Sequence, residues 1–117
     1  FEGNGHTWNI IDVRDIAECQ RLAVESDVAQ NRTRYMMVAT DESQEPSMRM
    51  MLDTLQELYP DINVAGDYDP EPSDHRLVAR CTKAIEELGL KTHSAIDTLQ
   101  STGDTLIELG CIEPARK

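Results

Sequence analysis

The chain has 117 residues, enough for one domain with a modest core, and its 22 acidic against 11 basic residues give a net charge of −11. A field of that sign repels phosphate backbones and anionic lipid surfaces, which sets nucleic-acid binding aside. No apolar run approaches the roughly 20 residues of a membrane span, and no signal-peptide pattern is present.

Apolar residues make up 39% of the chain, and the aromatic residues are Phe1, Trp8, Tyr35, Tyr59 and Tyr68. Cys19, Cys81 and Cys111 are odd in number, widely spaced and without a C-x-x-C, the usage of reduced packing cysteines in a cytoplasmic protein.

Residues 1–7 read as a loop. Gly3-x-Gly5 resembles the start of a dinucleotide turn, but the third glycine is missing and no strand precedes it. Residues 8–13 (Trp-Asn-Ile-Ile-Asp-Val) form an apolar, partly β-branched run that predicts a strand. A helix follows at about 15–26, with Ile16, Cys19, Leu22 and Ala23 at helical spacing and Asp12 or Asp15 available as its cap. After a polar connection from Val28 to Arg34, Tyr35-Met36-Met37-Val38-Ala39 predicts a second strand, covered on both faces.

Thr40 to Glu45 is a polar loop, and Pro46 suits an early helical position. Met48, Met51, Leu52, Leu55, Leu58 and Tyr59 then trace the clearest amphipathic helix in the chain, which Tyr59-Pro60 ends. The methionines read as a flexible core stripe rather than a binding groove. Residues 61–76 are an acidic loop whose spacing lacks the register of a calcium site.

Leu77 to Arg80 is a short extended piece. Thr82 is expected to cap a brief helix, Lys83 to Leu88, with Ala84, Ile85 and Leu88 inward, Gly89 ending it and Leu90 folding back toward Ile85. Ser94 and Asp97 have the spacing of a capping box for a last helix from Ala95 to about Leu109, with Ile96, Leu99, Gly103 and Leu106 on one face and Gly110 as its stop. Residues 113–117 read as a frayed tail.

Few groups promise chemistry. His6, His75 and His93 are scattered without partners at metal-ligand spacing, and Cys19 lies on a buried helix face without an evident base. Asp12, Arg14 and Asp15 form the one dense polar cluster beside apolar residues. It reads either as an acid/base pair or, fitting a first helical turn better, as an ion-paired helix start. Composition and spacing lead to an acidic α/β segment and no further.

The run Trp8-Asn9-Ile10-Ile11-Asp12-Val13-Arg14-Asp15-Ile16-Ala17 resembles the D-V-R-D-[VI]-A signature in the C-terminal half of extended short-chain dehydrogenase/reductases, in particular the cinnamoyl-CoA, dihydroflavonol and aldehyde/ketone reductase group. Further segments match in order. Arg34 to Val38 resembles the "G-R-Y" strand with Thr33 in the glycine place, and Leu55 to Pro60 resembles the helix ending in "[YF]-P". Cys81 to Leu90 resembles the "S-K-A-x-x-x-L-G" element with Cys81-Thr82 in place of Asn-Ser, and Ile96 to Gly110 resembles the final helix with a local departure over 101–105.

The resemblance implies an α/β fold: the C-terminal part of a Rossmann-like reductase, with two or three short strands, about four helices and a sheet incomplete on its own. It implies three parts: the 1–7 loop, a substrate-side segment over 8–112, and the 113–117 tail. The parent enzyme would reduce an aldehyde, ketone or acyl-CoA carbonyl with NADP or NAD. The glycine-rich nucleotide turn is absent, and Tyr35, Tyr59 and Tyr68 lack the lysine four residues on that such enzymes use. The chain alone is therefore expected to bind no cofactor and to be inactive.

By the same resemblance Thr7, Trp8 and Asn9 are the candidate substrate-binding residues. The expected partners are the missing N-terminal nucleotide-binding half, or another copy of the chain, together with a small carbonyl substrate. The competing reading is a non-catalytic interaction module that docks through an open sheet edge.

Overall fold

The computed structural model describes residues 9–39, 48–64 and 79–113. Four helices are present: α1 (Val13–Glu25), α2 (Met48–Leu58), α3 (Thr82–Leu88) and α4 (Ala95–Glu108). They pack as two alternating pairs, α1 on α3 and α2 on α4. The expected loop at 1–7, Thr7 and Trp8, the loops over 40–47 and 65–76, Leu77 and Val78, the histidines His6 and His75, and tail residues 114–117 lie outside the described residues, as do the side chains of Met48 and Arg49.

The α/β expectation is corrected: the described residues contain helices and no strand. Residues 9–12 and 33–39 avoid helical conformation, as their β-branched and apolar content suggests, but meet through a single backbone hydrogen bond, Ala39 N–H to the Ile10 carbonyl at 2.6 Å. A strand needs a ladder of such bonds, and local propensity cannot supply it. Met36, expected to be covered, is 61% exposed, while Val38 and Ala39 are buried. The open sheet edge of the competing reading likewise has no counterpart among the described residues.

α1 starts two residues earlier than the pattern suggests, because Asp12 is its cap: the side chain accepts the Arg14 backbone N–H at 2.9 Å. Cys19 faces inward, with Leu22 and Ala23 packed beside it, whereas Val13 and Val24 point to solvent. Ser26 closes the helix exit, its hydroxyl accepting from the N–H groups of Val28 and Ala29.

α3 begins at Thr82 rather than being capped by it. Cys81 precedes the helix, 1% exposed and with no capping bond from its side chain. Ala84, Leu88 and Leu90 join Cys19 in the core, with Tyr35 and Met37 against them. Gly89 takes a φ of 69°, which an L side chain rarely adopts, and its N–H returns to the carbonyls of Ala84 and Ile85. That reversal drives Leu90 into the core, 2% exposed. Ile85 stays at the surface, against the expectation that it would face inward.

α2 ends at Leu58, just before Tyr59-Pro60, as the sequence predicts. Its Met51 is buried. α4 opens on Ser94, whose hydroxyl accepts the Asp97 N–H at 3.1 Å, and closes near Gly110 at φ 70°. Ala95 is fully buried and Ile96 half exposed, so the buried stripe runs one residue away from the expected start.

Gly103 sits against Tyr59. A Cβ on this glycine would fall 2.5 Å from the Tyr59 ring and hydroxyl, so the ring lies where a side chain would stand. The Tyr59 hydroxyl shares its single proton between the Gln100 carbonyl and the Asp104 carboxylate, both at 2.8 Å. This contact fastens the end of α2 to the middle of α4. Among the described residues no helix is long and apolar enough to cross a membrane.

Candidate functional site

The start of α1, the turn after α3 and the first turns of α4 meet at one place. Asp12 is buried, yet its carboxylate is fully engaged. One oxygen accepts from Arg14 N and, at 2.8 Å, Nε; the other takes the guanidinium at 2.6 Å. This fork holds the Asp12 carboxyl well below the usual carboxylate range, against the opposing effect of burial, and raises the Arg14 guanidinium above its ordinary value.

Asp15, one helical step on, is 2% exposed and reaches across the fold. Its carboxylate accepts the His93 backbone N–H at 2.8 Å, and its second oxygen lies 2.6 Å from the ring Nδ1 of the same residue. A buried carboxylate requires such partners, since leaving it unpaired would cost several kcal/mol, on the order of 3–5. Here both oxygens have one. The cluster is therefore an ion-paired helix start at Asp12 and Arg14, as the first-turn reading has it, while Asp15 belongs to a different pair altogether.

His93, which showed no partner by sequence spacing, lines an open groove of about 370 Å³. Arg14 and His93 stand at one end, and Asp97, Ser101, Asp104 and Glu108 of α4 run along its wall. These α4 positions recur every three or four residues, so one helix face supplies the wall. The signal for this site was Asp15 itself, an acidic residue on the apolar side of α1, but nothing in the sequence says which of the later residues it meets.

Of the candidate substrate-binding residues, Asn9 is exposed at the start of the extended segment. The groove lining does not include it. Thr7 and Trp8 lie outside the described residues. Cys19 is buried, and burial pushes its thiol up, the reverse of what a nucleophile needs. The Tyr35 and Tyr59 hydroxyls are raised by burial and by their carboxylate partners, Glu87 and Asp104. Lys83 lies 5.3 Å from the centroid of the Tyr35 ring, over its face rather than beside its hydroxyl. Among the described residues no three His, Cys, Asp or Glu side chains are placed to hold a metal ion.

No family model matches the chain, and no curated protein or solved structure matches it either.

Proposed function

We propose that this chain is the substrate-side C-terminal portion of an NADP- or NAD-dependent short-chain reductase acting on an aldehyde, ketone or acyl-CoA carbonyl in the cytoplasm. On this reading the nucleotide-binding half is a separate part of a longer protein, and the 117 residues alone neither bind the cofactor nor catalyse. The observation that carries the reading is where the resembling residues sit. Asp15 of the D-V-R-D-I-A run holds His93, just beyond the K-A-x-x-x-L-G element. Tyr35 packs on the core formed by Cys19, Ala84 and Leu88, and Tyr59 of the "Y-P" helix end is seated on Gly103 of the last helix.

Asp15, Tyr35 and Tyr59, which lie in resembling segments, thus each join parts of the chain far apart, although His93 lies outside those segments and Gly103 within the 101–105 departure. These long-range joins support the reading through the resembling segments alone, since the α/β architecture expected with them is not what the described residues form.

The test is the natural gene product. Tagged at its own locus and weighed intact, it should, after the tag's mass is subtracted, exceed the 13.2 kDa of this chain and carry a glycine-rich nucleotide turn and a Tyr/Lys pair. It should also oxidise NADPH or NADH when given a panel of aldehydes, ketones and acyl-CoA thioesters. A natural product no longer than 117 residues would refute the proposal, as would a longer one lacking those two motifs.

A further inference from the structure

We draw no further inference here: the strongest candidate, the side-chain pair of Asp15 and His93 at the end of the open groove along α4, belongs to the site already described, and nothing among the described residues points to a ligand for it.

Discussion

Replacing Gly103 by alanine sets two opposing effects against each other. Alanine in a helix interior is favoured over glycine by about 1 kcal/mol. Against that, the new Cβ would lie 2.5 Å from Tyr59 Cε2 and hydroxyl oxygen, so the ring must leave. Leaving breaks the hydroxyl's one donor bond, shared between the Gln100 carbonyl and the Asp104 carboxylate and worth about 1.5–3 kcal/mol with a charged acceptor, and uncovers part of a half-buried ring. The sum of losses is about 2–3 kcal/mol, and Gly103→Ala should destabilise the chain by about 1–2 kcal/mol net. Urea unfolding followed by far-ultraviolet circular dichroism measures this as a lower midpoint at unchanged slope. The decisive arm is the double mutant. With Tyr59→Ala already in place the obstacle is gone, and Gly103→Ala should then stabilise by about 1 kcal/mol. A Gly103→Ala substitution that stabilises the wild-type chain, or costs the same in both backgrounds, would refute the argument.

Other substitutions probe separate parts of the fold. Leu90→Ala, at a side chain only 2% exposed, should cost about 2–5 kcal/mol in the same urea experiment, whereas Val24→Ala at the surface should be within error. Asp12 has a depressed folded-state value, so its contribution is fully present above the ordinary carboxylate value and is lost as pH falls below it toward the folded one. Unfolding free energy measured from about pH 7 to pH 2 should show that acid loss, and Asp12→Asn should flatten it. Arg21, exposed between Glu18 and Glu25, should be replaceable by alanine without a measurable change in midpoint. Added NADPH should leave the fluorescence of Trp8, the single tryptophan, unchanged in the isolated chain.

Helix ends were legible because they are local. Ser94 with Asp97, Tyr59 before Pro60, and Gly89 at a positive φ each use a side chain or backbone preference acting over a few residues. Apolar spacing also found α2. The choice between Asp12 and Asp15 as cap was not legible, since either carboxylate suits a helix start and only tertiary structure gives Asp15 another partner. Ile10-Ile11 and Tyr35 to Ala39 misled for the same reason in reverse: their composition favours extended backbone, but a sheet is a property of neighbours. The His93 site is formed by residues 78 positions apart, and no spacing rule reaches that far.

The alternation of the helix pairs has a consequence for synthesis. Because α1 packs on α3 and α2 on α4, neither of the first two described helices has its described helical partner until the later segment is synthesised. Among the described residues Tyr35 and Met37 can reach the Cys19 face early, but that core is completed only when Ala84, Leu88 and Leu90 emerge, and the Tyr59 ring waits for Gly103.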